Sequence, residues 1–252
     1  MHDRPGATPK PAWIARLLAR CAGQCAVCSS WCHQTVCESC LKRYACPVPR
    51  CWACAASLPS EHTPRPQARC GQCLQHPPPL DRSIAALDYR FPWDGLLQHF
   101  KYHQALELRD ALLDRLDAAL TAADAEPPDL LLPVPMADVR LAERGYNQAW
   151  ELARALARRR GLRCERDLLL RIRHQDSQAS LSRDERRINV RGVFAVEPSR
   201  WAELHGAKVA LLDDVMTSGA TLFELARVLR QAGVAQVQAW VIARTPEPHD
   251  RA

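Results

Sequence analysis

The chain has 252 residues, 47% of them apolar, and a formal net charge of +6. That apolar share excludes a globally disordered chain, and the length allows one substantial core plus a small second domain. No run of about 18 apolar residues occurs, which excludes a spanning helix. Trp13–Leu18 is interrupted by Arg16, unlike the core of a secretion signal. A cytoplasmic location is therefore expected, and the mild positive charge suits a phosphate-bearing ligand, nucleic acid or an ordinary basic surface.

Residues 1–20 are basic and contain proline, a flexible lead-in in which nothing functional is legible. The cysteines come next: eleven of the twelve lie between Cys21 and Cys73, and only Cys164 lies beyond. Four C-x-x-C pairs stand out, Cys25/Cys28, Cys37/Cys40, Cys51/Cys54 and Cys70/Cys73. Each such turn puts two thiolates on one side, and two turns together form one knuckle that completes a tetrahedral Zn²⁺ shell. Neighbouring pairs would give two Cys₄ sites; a cross-braced pairing fits the spacing as well. Cys21, Cys32 and Cys46 are left over as substitutes, with His33 and His62 weaker ones. An exported disulfide framework is the competing reading, and it lacks a signal sequence. Four thiolates leave no open position for water, so the zinc is expected to be structural, and residues 21–76 carry too few large apolar side chains to fold without it.

His76-Pro-Pro-Pro79 breaks regular structure and marks a domain boundary, with a second domain expected over 80–245 and a short tail over 246–252. Ser83–Tyr89 predicts a strand and Phe91–Gly95 a turn. One long helix follows, burying Leu106, Leu112, Leu113, Leu116 and Leu120. Lys101 and His103 precede that buried side and read as ordinary solvated charges. Asp129–Pro135 predicts a second apolar strand, whose exit passes through a loop over Arg140–Gln148 into a helix carrying Leu152 and Leu156. Residues 163–196 alternate or mix, hold Arg171, Arg173, Arg183, Arg186, Arg187 and Arg191, and end in the strand-like Val190–Val196. Val234–Arg244 predicts the last strand. Strands alternating with helices argue for an α/β fold with a mostly parallel sheet.

The chemistry concentrates at Val209–Thr221. An apolar strand, Val209–Leu212, leads into Asp213 and Asp214, then into Thr217-Ser218-Gly219-Ala220-Thr221, and then into a helix marked by Leu222, Leu225, Ala226 and Leu229. Consecutive N–H groups at a helix N-terminus, with a glycine for close approach, form a nest for a terminal phosphate. The carboxylates only accept, so they fit a ligand carrying vicinal hydroxyls as well; a ribose 5-phosphate is the simplest. Neither the Walker pattern G-x-x-x-x-G-K-[ST] nor G-x-G-x-x-G is present. A purely structural strand–turn–helix is the bland alternative, and two adjacent carboxylates at a strand end are costly without a task.

Residues 209–221 resemble the phosphoribosyl pyrophosphate (PRPP) motif of type I phosphoribosyltransferases. With the cysteine module, Arg144-Gly145-Tyr146-Asn147-Gln148 and Asn189–Phe194, the chain is similar to the ComF family (ComFC- and GntX-like proteins) over about residues 21–244. The resemblance implies the type I phosphoribosyltransferase fold, a twisted, mostly parallel sheet flanked by helices, with a small N-terminal zinc-binding module. It implies that Asp213 and Asp214 bind the ribose hydroxyls and that Val215, Met216 and Thr217, Ser218, Gly219, Ala220 and Thr221 complete the PRPP site around the 5-phosphate. Arg140, Arg144 and Gly145 are the candidates for pyrophosphate, and residues 174–188 would be a flexible catalytic loop bringing Arg183, Arg186 or Arg187 to it. The acceptor would be met by a hood built from about 83–125. Mg²⁺ would be held mainly by ligand oxygens. The implied reaction transfers a phosphoribosyl group to an unknown acceptor with loss of pyrophosphate; a non-catalytic PRPP-binding regulator and a protein handling single-stranded DNA alongside competence machinery are the alternatives. A homodimer stays open. Cys164 reads as a packing residue.

Overall fold

The computed structural model describes residues 23–59, 67–102, 105–172 and 192–246. In it, the turn Cys25–Cys28 sits between the short antiparallel strands β1 (Gly23–Gln24) and β2 (Trp31–Cys32), and Cys37 caps helix α1 (Glu38–Tyr44). Among the described residues of this part, Cys25, Val36 and Cys40 are the buried ones. This unit ends at Cys46, and a second begins at Pro47.

The second unit holds helix α2 (Gly71–Gln75), strand β3 (Arg82–Asp88), helices α3 (Trp93–Tyr102) and α4 (Leu108–Ala122), and strand β4 (Leu130–Pro133). Helices α5 (Asp138–Arg144) and α6 (Gln148–Arg160) follow, then an antiparallel pair, β5 (Leu169–Arg171) and β6 (Phe194–Val196), and a 3₁₀ turn over Pro198–Leu204. Strand β7 (Lys208–Met216), helix α7 (Ala220–Gln231) and strand β8 (Gln236–Arg244) complete it. The main sheet has the order β3-β8-β7-β4, and every pair in it is parallel. Helical crossovers cover both faces of such a sheet, which is why β7 and β8 read as near-continuous apolar runs. Val209, Leu211, Val237, Ala239 and Val241 share a core with Leu222, Leu225 and Leu229 of α7. The alternate residues point the other way, toward α4, which packs on β3 and β8, and α6, which packs on β4 and β7.

Several expectations need correction. The sequence groups both cysteine knuckles into one 21–76 module, but the second knuckle belongs to the sheet unit. Its backbone is bonded into that unit: Ser83 donates from N–H to the Trp52 carbonyl (2.8 Å) and from Oγ to the Ala53 carbonyl (2.7 Å). Cys51, Cys54 and Cys73 lie in the same core as α7. The long helix after Gly95 is two helices, and Leu106, ahead of the second, is 43% exposed instead of buried. Residues 140–148 are not a loop: α5 runs to Arg144, Gly145 ends it with φ 78°, and Asn147 caps α6. Residues 82–88 of the expected hood form an edge strand of the main sheet. Strand β7 continues through Asp213 and Asp214 because its pairing with β8 persists to Met216 opposite Arg244. Among the described residues, no helix is long and apolar enough to cross a membrane.

Candidate functional site

The carboxyl end of β7 supplies the acids. Asp214 is buried and Asp213 half-buried, and the Asp213 carboxylate accepts the Asp214 N–H at 2.9 Å. Burial disfavours the charge on Asp213 and the neighbouring Asp214 adds repulsion, while Lys101 offsets part of this; its pKa is pushed up from 3.8 to about 7. Beyond Met216 the chain turns at Gly219, which caps α7 with φ 79°. A Cβ there would lie 2.6 Å from both Met216 Cε and Phe223 Cζ, so those side-chain ends would have to move, and the positive φ itself favours glycine. Thr217 is exposed and Ser218, Ala220 and Thr221 are half-buried, with the Ser218 hydroxyl accepting the Ala220 N–H at 3.4 Å. Met216 turns its side chain into the core, and Val215, half-buried, sits in the ladder opposite Ala243.

Facing the acids is a residue that sequence reading took for solvated. Lys101, at the end of α3, places Nζ 3.1 Å from Asp214 Oδ1, with only 19% of its side chain exposed. Burial works against the ammonium, but Asp214 and Asp213 outweigh it and hold its pKa above that of ordinary lysine. The segment Arg144–Gln148 explains why Lys101 is there. Gln148, buried, donates to the Lys101 carbonyl (3.1 Å), and the Tyr146 hydroxyl donates to the Phe100 carbonyl, so side chains satisfy the last carbonyls of α3. Arg144 stacks 4.6 Å over the Tyr102 ring and donates to the Tyr102 oxygen (3.1 Å) and to Gln148 Oε1 (3.4 Å). Asn147 accepts from the N–H groups of Ala149 (2.9 Å) and Trp150 (3.4 Å) and donates to the Val134 carbonyl (3.1 Å), fixing α6 to the exit of β4. No apolar periodicity signals this; a lysine one residue from a helix end carries no mark in sequence.

Of the other expected residues, Arg144 and Gly145 come to this end of the sheet, while Arg140 is exposed on α5, close enough to Arg171 to oppose its charge. Arg183, Arg186 and Arg187, like Cys21, His62 and His103, lie outside the described residues. The roots of the 174–188 segment are described: Ile172 donates to the Val193 carbonyl (2.8 Å), and Gly192 donates to the buried Glu224 carboxylate (3.0 Å) on α7. Burial pushes the Cys164 thiol up to about 11, in keeping with packing.

The cysteines gather as neighbours in sequence: Cys25, Cys28, Cys37 and Cys40 in one group, Cys51, Cys54, Cys70 and Cys73 in the other, each with sulfurs within 4.8 Å of one another. N–H groups of Cys37 (3.2 Å) and Val27 (3.4 Å) point at Cys25 Sγ, and that of Cys70 (3.3 Å) at Cys51 Sγ. Burial opposes ionisation of Cys25, yet these N–H groups bring it down to about 6, whereas burial and the neighbouring thiols push Cys40 up to about 12. A divalent cation would remove that mutual opposition, and four converging sulfurs without an open position fit a structural Zn²⁺.

Residues 132–251 match the family model of the phosphoribosyl transferase domain. The chain is 33% identical over 217 residues to competence protein F of Haemophilus influenzae, covering 83% of this chain and 90% of that one. It is 31% identical over 217 residues to DNA utilization protein YhgH of Salmonella typhimurium (84% and 92%), and 27% identical over 150 residues to competence protein ComFC of Bacillus subtilis (59% and 58%). A solved glutamine PRPP amidotransferase of B. subtilis overlaps at TM-score 0.36 and 22% identity, over 54% of this chain and 26% of that one, too slight a likeness to argue from.

Proposed function

We propose, from the premise that the chain belongs to the ComF family of competence protein F and DNA utilization protein YhgH and carries a phosphoribosyl transferase domain of type I fold, that it binds PRPP and transfers its phosphoribosyl group to an acceptor. One observation carries this reading: Asp213 and Asp214 lie near the carboxyl end of a central parallel strand, the end that leads into the Gly219-capped N-terminus of α7. Acceptors for ribose hydroxyls and donors for a 5-phosphate thereby meet where open α/β sheets bind ligands.

In this reading Asp213 and Asp214 hold the ribose 2- and 3-hydroxyls, and Thr217–Thr221 hold the 5-phosphate. Lys101 balances the charge of Asp214. Arg144 and Gly145, with Arg140, serve the pyrophosphate, and Arg183 and Arg187 reach it from the 174–188 segment. Mg²⁺ bound to pyrophosphate and ribose oxygens would lower the charge that the site must meet. The bond between the anomeric carbon and pyrophosphate breaks as the acceptor's lone pair arrives, through an oxocarbenium-like state. Such a step needs positioning and stabilisation of the leaving anion rather than a covalent nucleophile. Zn²⁺ on the two cysteine groups is structural. The names of the relatives favour a second reading, in which the same protein handles single-stranded DNA in uptake or utilization; it predicts strand binding that weakens steeply with salt.

Calorimetry with PRPP and Mg²⁺ tests the main reading. Wild type should bind, and Asp213→Asn with Asp214→Asn should not; equal binding by both, or none by the wild type, overturns it. Release of pyrophosphate with some acceptor then separates an enzyme from a regulator that only binds.

A further inference from the structure

Arg244 closes β8, and its side chain is buried, with the residue 3% exposed. A guanidinium taken from water at this depth needs partners of matching geometry. Its Nε donates to the Cys54 carbonyl at 2.9 Å, and Nη1 donates to the carbonyls of Met216 (3.3 Å), Thr217 and Thr245 (2.7 Å). The β7–β8 ladder ends at Met216 opposite Arg244, so the Thr217 carbonyl lies beyond the ladder and needs a donor from elsewhere. One side chain therefore joins the second cysteine knuckle to the first residues of the candidate phosphate loop.

A peptide group is planar and trans, so its C=O and N–H point in opposite directions. Holding the Thr217 carbonyl toward Arg244 aims the N–H group of Ser218 away from it. We propose that Arg244 is a positioning residue of the ligand site: braced on the Cys54 carbonyl, it sets the Thr217–Ser218 peptide plane, next to the Met216 carbonyl that the Thr245 N–H already holds at 3.0 Å, and so orients a donor of the anion nest. The inference rests on reading Thr217–Thr221 as the phosphate loop. It makes the second knuckle part of the site's frame, although none of its cysteines would touch the ligand.

The test compares wild type, Arg244→Met and Arg244→Lys as zinc-loaded full chains, by hydrogen exchange across 216–221 and by calorimetry with PRPP and Mg²⁺. In Arg244→Met, loop amides should exchange at least about tenfold faster while 23–46 and 130–133 keep wild-type protection. PRPP affinity should fall by about tenfold or more, and Arg244→Lys, which keeps a buried donor, should recover part of both. Wild-type exchange in the loop of Arg244→Met overturns the proposal. So does protection lost evenly across 47–246, which marks Arg244 as an ordinary core contact, and so does a lysine variant no better than methionine. Should Arg244→Met fail to fold, faster loop exchange confined to 216–221 in Arg244→Lys supports the proposal, and unchanged exchange sinks it. Exchange needs no ligand, so a wild type that binds no PRPP strikes the proposed function and leaves this result to stand or fall separately.

Discussion

The Lys101 ammonium and the Asp214 carboxylate meet at 3.1 Å, joining the end of α3 to the end of β7 with both side chains largely withdrawn from water. Breaking a buried pair leaves the remaining charge uncompensated, at a cost of about 3–5 kcal/mol. With Lys101 19% exposed, the lower part of that range applies. Lys101→Met should therefore lower the melting temperature of the 47–246 unit by roughly 5–10 °C in a thermal scan. An unchanged transition would show that the pair holds nothing together.

Asp213 gives the stability a pH dependence of unusual sign for a carboxylate. Its folded pKa, about 7, lies above the ordinary 3.8, so the native state keeps a proton that the unfolded chain has lost. Its contribution is complete below about pH 4 and disappears as pH rises through about 7. Asp213→Asn should thus melt higher than wild type at pH 8 by a few degrees, the gap shrinking toward pH 4. Parallel melting curves across that range would count against a perturbed Asp213. The gain in stability should accompany a loss of ligand binding, since the acid is costly to the fold and useful to the site.

Gly219→Ala meets both a left-handed backbone, φ 79°, and two contacts of 2.6 Å. The strain is on the order of 1–3 kcal/mol, and the loop backbone or the ends of the Met216 and Phe223 side chains must shift to relieve it. PRPP affinity should drop by at least about tenfold while circular dichroism stays that of the wild type. Binding within about twofold of wild type would show that the loop tolerates a side chain here.

The two cysteine groups should behave differently when one ligand is removed. Cys40→Ser should reduce zinc content by one equivalent and unfold only the unit ending at Cys46, whose described residues bury little besides cysteine. Cys54→Ser strikes a residue of the core shared with α7, and should destabilise the sheet unit itself. Metal analysis with a two-transition thermal scan reads both; identical effects of the two variants would contradict the division.

Much of this was legible because it is periodic or chemically dense. Buried parallel strands announce themselves as apolar runs, and Asp213, Asp214 and the hydroxyl-rich turn have few bland uses. The pairing of the C-x-x-C turns was not legible, because spacing permits two answers and only the fold brings particular sulfurs together. Lys101 was missed because its role depends on Gln148 and Tyr146 fixing the end of α3 from 46 or 47 residues away. Arg244 looked like the end of a strand, and its four carbonyl partners come from three separate segments. Helix α5 leaves no apolar stripe to read, because none of its residues is buried, and sequence pattern alone therefore gives a loop there.

Each margin of the main sheet meets another segment at one point. Beside β3, Trp52 accepts from Ser83, and beside β4, Leu131 bridges in parallel to Cys164. An unprotected margin invites strand-by-strand accretion of further copies. Self-association of intact protein should therefore proceed through helical faces rather than by a sheet continuing from one copy to the next. Loss of metal from the second knuckle would bare the β3 margin, and demetallated preparations should turn turbid before they lose their helices.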